Sequence, residues 1–197
     1  MRLVLAAFRQ ALLVAFTGLL TWPLSSYGAG VGDILNRVAI TPPARVLFRE
    51  ERHNSMLQEP LVLNGYLEYL APGLMKKVIE TPFREVITVS EKAVEIERDG
   101  QTQKLSLRRS RSLQAMLSGV EAVIAGDESQ LLDAFELELQ ESPDGWSIRL
   151  TPKSRRVARN LEDMYVTGRG DVIEGIRIEL GDGEWHQIEL QQDRSGS

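Results

Sequence analysis

Between positions 45 and 82 the chain is patterned for strands. Val46 and Phe48 alternate with Arg45, Leu47 and Arg49, and Leu61, Leu63, Leu67 and Tyr69 share one face of a second run. A period of two is the pattern of half-buried strands. Ala71-Pro72-Gly73 turns the chain into a third run, because proline presets φ and glycine tolerates a positive one. Gly65 interrupts the apolar face of the second run. Inside a strand, glycine marks a bend or a close backbone approach. Residues 83–90 continue the pattern, with Phe83, Ile87 and Val89 on one face. Residues 93–98 and 101–107 flank Asp99-Gly100, a strong hairpin signal.

The period then changes. Residues 31–38 carry Ile34, Leu35 and Val38 on one face, which predicts a short helix stopped by Thr41-Pro42-Pro43. Leu113, Met116, Leu117, Val120 and Ile124 fall at i, i+3, i+4, i+7 and i+11, which predicts an amphipathic helix over 112–125. Ser112 is its expected N-cap and Gly126 its end. Alternation returns at Phe135, Leu137 and Leu139, and again at Trp146, Ile148 and Leu150, with Asp144-Gly145 as the turn between. A short helix is expected over 155–161. Residues 165–167, 172–180 and 184–190 predict a closing meander, turning at 168–171 and 181–183, and 192–197 read as a loose tail. With about ten strands, two or three helices and hairpin-length connections, the fold class is α+β, an antiparallel sheet with helices on one face. No repeat or linker divides it.

Composition adds a compartment. Arg2 and Arg9 flank a short apolar run over 11–20, and Ser26-Tyr27-Gly28 forms a small-x-small box. This predicts a signal peptide over 1–28 and a single domain over 29–197. The apolar run is shorter than the about 20 residues that span a bilayer. The expected location is the periplasm. With no cysteine, neither a disulfide nor a lipid anchor on an N-terminal Cys is available, and the core alone must hold an exported domain together. Export and a net charge of −5 argue against a nucleic-acid role.

Candidate chemistry is sparse. His53 and His186 are far apart and no His-x-x-x-His pair exists, so no metal or cofactor is expected. No Gly-x-Ser-x-Gly elbow or phosphate loop occurs, and no catalytic centre is read. Arg169-Gly170-Asp171 reads as a hairpin turn. Phe48, Glu50 and Arg52 share a strand face, so Glu50 and Arg52 are polar candidates for a cavity or its rim, against the reading of a surface ion pair of little weight. Leu113, Met116, Leu117 and Val120 suit either a ligand-touching lid or an ordinary helix-on-sheet core. Arg108, Arg109 and Arg111, with Arg155, Arg156 and Arg159, form basic clusters on an acidic chain. They suit an anionic membrane surface or an acidic partner, or simply solvated helix ends.

Three segments in order carry a resemblance. They are Phe48-Arg49-Glu50-Glu51-Arg52; Pro60-Leu61 followed by Gly65-Tyr66-Leu67-Glu68-Tyr69 and Pro82; and Trp146-Ser147-Ile148-Arg149-Leu150-Thr151-Pro152-Lys153. The chain resembles, over about 45–190, the outer-membrane lipoprotein carriers (LolA/LolB-like), in their divergent LolA-like branch. The resemblance implies an unclosed β-barrel, a strongly curved antiparallel sheet whose concave face is covered by helices and takes up acyl chains. Typical carriers have Arg-Pro-x-x-Phe-x-Trp after the second strand, and the arginine helps hold the lid. Here Ala71, Pro72, Gly73, Leu74, Met75, Lys76 and Lys77 stand there, without the arginine or either aromatic.

The resemblance implies a non-enzymatic, monomeric carrier for lipoprotein acyl chains or another lipid, working between an inner-membrane donor and an outer-membrane acceptor. Its lipid-binding candidates are Phe48, Leu63, Leu67, Met75, Leu113, Met116, Leu117 and Val120. The alternatives are a lipid- or envelope-modifying enzyme using the same cavity, and an assembly module for an envelope complex.

Overall fold

The computed structural model describes residues 30–191. The predicted signal peptide and the loose tail lie outside the described residues. Eleven strands form one antiparallel sheet: β1 (Ala44–His53), β2 (Leu61–Ala71), β3 (Leu74–Thr81), β4 (Glu85–Ser90), β5 (Ala93–Arg98), β6 (Gln101–Ser106), β7 (Phe135–Ser142), β8 (Gly145–Pro152), β9 (Leu161–Arg169), β10 (Val172–Leu180) and β11 (Trp185–Gln191). Their spatial order is β6-β5-β4-β3-β2-β1-β11-β10-β9-β8-β7. Neighbours in sequence are neighbours in space except where β1 pairs with β11, which joins two meanders into one sheet. The edge strands β6 and β7 do not pair with each other, so the barrel stays open.

Three helices accompany the sheet: α1 (Val31–Val38), α2 (Arg111–Ala125) and α3 (Glu128–Ala134). In α1, Asp33 accepts the N–H of Gly30 at 2.9 Å and so caps the first turn. Its face of Ile34, Leu35 and Val38 is buried. The N-cap of α2 is Ser110, which accepts from Leu113 N at 3.3 Å, and not Ser112. The arginine-rich segment before it winds into a 3-10 turn over Leu107–Arg109, which moves the helix start forward. Ser112 instead donates to the Val157 carbonyl at 3.3 Å. The unpredicted helix α3 buries only Leu131 completely. Residues 155–160 form hydrogen-bonded turns and no helix, although Leu161 N reaches Val157 O at 3.0 Å.

Two glycine positions explain the sheet's shape. At Gly65 the β2–β3 register slips, and a Cβ there would lie 1.9 Å from the Val78 carbonyl oxygen. The backbones approach too closely for any side chain, as a sharply bent sheet requires. Asp99 and Gly100 both have positive φ, 51° and 75°, and form a two-residue hairpin turn. The second hairpin differs from expectation. Ser142 pairs with Gly145, so Pro143 and Asp144 are its turn, and Gly145 is the first residue of β8, where a Cβ would meet the Gly168 oxygen at 2.5 Å.

The main core lies between the helices and β7–β10. Phe135, Ile148, Leu150, Leu161, Met164 and Val166 are buried there against Leu35, Val123 and Leu131. A second, smaller cluster of Phe48, Leu63 and Ile79 sits on β1–β3.

Candidate functional site

Register places the site on the concave face. Met164 of β9 packs against the helix side of the sheet in the main core. It pairs with Ile178, which pairs with His186, which pairs with Arg52. Directly paired residues share a face, so Arg52, Glu50 and Phe48 lie on the same face as the helices. Leu63 is opposite Glu50, Gly65 opposite Phe48, and Lys77 opposite Leu67. The face of β1–β3 thus carries apolar residues around one charged cluster.

That cluster is built on Glu50, whose side chain is 1% exposed. Arg52 donates to both its oxygens, Nε to Oε1 at 3.0 Å and Nη2 to Oε2 at 3.2 Å. Lys77 Nζ also donates to Oε2, and His186 Nδ1 lies 3.2 Å from Oε1. Burial alone would raise the carboxyl's pKa. The His186 hydrogen bond and the Lys77 and Arg52 charges outweigh it and hold Glu50 well below the usual carboxylate range. Burial pushes the Lys77 ammonium below its ordinary value even with Glu50 beside it. Lys77 also lies over the Phe48 ring, 4.5 Å from its centroid. The cluster is a sealed carboxylate ringed by partly exposed cations, so the weak surface ion pair is not what forms here. Sequence reasoning named Glu50 and Arg52. It missed Lys77 and His186, which reach the site from β3 and β11.

The apolar candidates divide. Phe48 and Leu63 are buried, covered by half-buried Leu61, Leu67, Phe83, Ile87, Ile188 and Leu190. Met75 is half-buried on β3, paired with Tyr69 and Val89. Met116 and Val120 pack on the main core. Leu113 and Leu117 are half-buried and belong to neither cluster.

A hydrogen bond ties α2 to the far half of the sheet. Glu121 accepts the backbone N–H of Gly73 in the β2–β3 turn. Burial, and after it the Glu121 carboxylate, push the Tyr69 phenol up. Leu113, Leu117 and Glu121 are spaced i, i+4, i+8 and form one row along the helix. Glu121 thus sets the C-terminal end of that row at the β2–β3 turn. The tether sits in the turn where typical carriers, by resemblance, hold the lid with arginine, and its chemistry is reversed, a carboxylate on a backbone donor.

The sequence pattern of the family described as outer membrane lipoprotein carrier protein LolA-like matches residues 25–191. The chain belongs to that LolA-like family. No curated protein sequence matches it. Among solved structures, it is similar to a LolA superfamily protein of Nitrosomonas europaea, at 11% identity and a TM-score of 0.42, covering 84% of this chain and 93% of that one. It is similar to a putative outer membrane lipoprotein-sorting protein domain of Vibrio parahaemolyticus, at 9% identity and a TM-score of 0.43, covering 85% and 92%. It is also similar to the lipoprotein LppX of Mycobacterium tuberculosis, at 11% identity and a TM-score of 0.43, covering 82% and 93%.

Proposed function

We propose that this LolA-like protein is an exported, periplasmic, non-enzymatic carrier. It takes an acyl chain, of a lipoprotein or another lipid, between the Leu113–Leu117 row of α2 and the apolar face of β1–β4, and passes it toward the outer membrane. The observation that supports this reading is the leucine row, which belongs to neither apolar cluster, on a helix joined to the β2–β3 turn by the hydrogen bond from Gly73 to Glu121. An ordinary core would have closed around Leu113 and Leu117. Phe48 and Leu63 lie under neighbouring side chains of the sheet, so a chain enters as α2 lifts and those side chains part. Each buried methylene contributes about 0.8 kcal/mol, enough for a long chain to displace a loosely packed row.

A catalytic role for Glu50 and His186 fits poorly. Both carboxylate oxygens are already taken by cations, and a carboxylate so stabilised is a weak general base.

A hydrophobic fluorescent probe should bind the protein and be displaced by fatty acid. Leu117→Asp should weaken binding strongly with the circular dichroism of the sheet unchanged, because it sets a charge against the chain. Native mass spectrometry of periplasmic material should find a co-purified lipid. A protein that binds no probe and carries no lipid would replace this reading with an assembly module.

A further inference from the structure

The turns at 153–160 and the start of α2 bring together two arginine clusters that are far apart in sequence. Ser112 donates to Val157 O at 3.3 Å, and Asn160 Nδ2 donates to Ser112 Oγ at 3.2 Å. Between the two segments lies an open depression of about 680 Å³, lined by Arg108, Arg109, Arg111, Arg156 and Arg159. No carboxylate lines it. Among the described residues none of these five arginines makes an ion pair, whereas Arg49, Arg52, Arg98, Arg149, Arg169 and Arg177 all do. Five exposed guanidinium groups around one depression repel each other until an anion enters, on a chain whose net charge is otherwise −5. Guanidinium forks match phosphate oxygens in bidentate fashion.

We propose that this depression docks the protein on phosphate-bearing lipid headgroups at an anionic membrane surface. The neighbouring residues favour a membrane over an acidic polypeptide. Arg111 and Ser112 lead directly into Leu113, the first residue of the uncommitted leucine row. The arginine depression and a half-buried apolar stripe therefore occupy one end of one helix, as a lipid with a charged head beside an apolar chain requires. The docking itself stands on the arginines and does not need the concave face to take a chain.

The test is co-sedimentation of the protein with phosphatidylcholine vesicles, with and without phosphatidylglycerol. Wild type should bind only the anionic vesicles, and added salt should weaken the binding. Each arginine near such a surface is worth roughly fivefold in affinity, so Arg109→Gln/Arg156→Gln/Arg159→Gln should lose on the order of a hundredfold. The matched triple lysine variant should lose far less, which separates lost charge from lost folding, and Arg169→Gln, outside the depression, should bind as wild type. Leu117→Asp should strongly weaken probe binding and leave most of the vesicle binding, so the docking and carrier readings fail separately. Equal binding to both vesicle types, or a triple glutamine variant that binds as wild type, overturns the proposal. Binding of inorganic phosphate or polyglutamate without binding to anionic vesicles overturns it too, in favour of a free anion or an acidic protein.

Discussion

The two halves of the sheet use the same backbone pattern for opposite ends. On β7–β10 the concave residues are apolar, and three helices close over them, so that Phe135, Leu150, Leu161 and Met164 are buried. On β1–β6 the same face holds a smaller apolar cluster, the Glu50 cluster and a ring of half-buried side chains. Helix α2 belongs to both. Gly119, Ala122 and Val123 commit it to the first half, while Glu121 reaches the second and Leu113 and Leu117 join neither apolar cluster. Binding surfaces come from the less committed parts of a structure, because a site that opens cannot also be the part whose packing fixes the fold. Stability should therefore concentrate in one half and ligand response in the other.

The largest effect should come from the packed half. Phe135→Ala empties a ring site beside Gly119 and Met164 and should cost about 3–5 kcal/mol in urea unfolding. Leu113→Ala, half-buried on the same helix layer, should cost under about 1 kcal/mol. Comparable losses at the two positions would erase the distinction between the halves.

Glu50 comes next. Glu50→Gln leaves Lys77 and Arg52 near each other without the carboxylate. A fully sealed pair broken on one side costs about 3–5 kcal/mol. Here Lys77 and Arg52 are 15% and 29% exposed, and water recovers part of that, so about 2 kcal/mol is expected. The pH dependence has a definite sign. The folded pKa of Glu50 lies below its unfolded value, so the unfolded chain takes up the proton first. The stabilisation is complete above the ordinary glutamate value of about 4.3 and is lost as pH falls below it. Between about pH 5 and 3, wild type should lose stability more steeply than Glu50→Gln. Parallel curves would mean that the cluster contributes nothing to folding.

How much of this the sequence displays depends on the range of the interaction. Strands are legible because alternation is local, and the β5–β6 turn because Asp99-Gly100 states its own backbone requirement. Helix α3 is not, since one fully buried leucine in seven residues makes no stripe. The start of α2 is shifted because two serines compete, and the arginine-rich turn before them decides which one caps. At the site, Glu50 and Arg52 are two apart on one strand and visible together. Lys77 is 27 residues from Glu50 and joins only through sheet register. Glu121 and Gly73 are 48 apart, and nothing near either residue announces the contact. The two arginine clusters are visible as separate runs, and only the fold makes them one surface.

A smaller loss of stability than at Phe135 or Glu50 should come from the contact that joins the halves, and it is the most informative. Glu121→Ala removes the acceptor of the Gly73 N–H. A hydrogen bond to a charged acceptor is worth about 1.5–3 kcal/mol at most, and here the turn's N–H regains water once α2 moves, so about 1 kcal/mol is expected. Local opening should change far more than global stability. Hydrogen exchange at Gly73 should accelerate by an order of magnitude or so, while amides in β8 and β9 keep their protection. If α2 is a lid held by this contact, the hydrophobic probe should also bind faster, because the closed state holds α2 at the β2–β3 turn and only the open state admits a chain. Glu121→Gln keeps an acceptor and should fall between wild type and the alanine variant. Faster exchange at Gly73 with an unchanged probe-binding rate would mean that the turn opens without admitting ligand. The leucine row would then be an ordinary exposed helix face, and the division between a folding half and a binding half would fail at the one element that spans both.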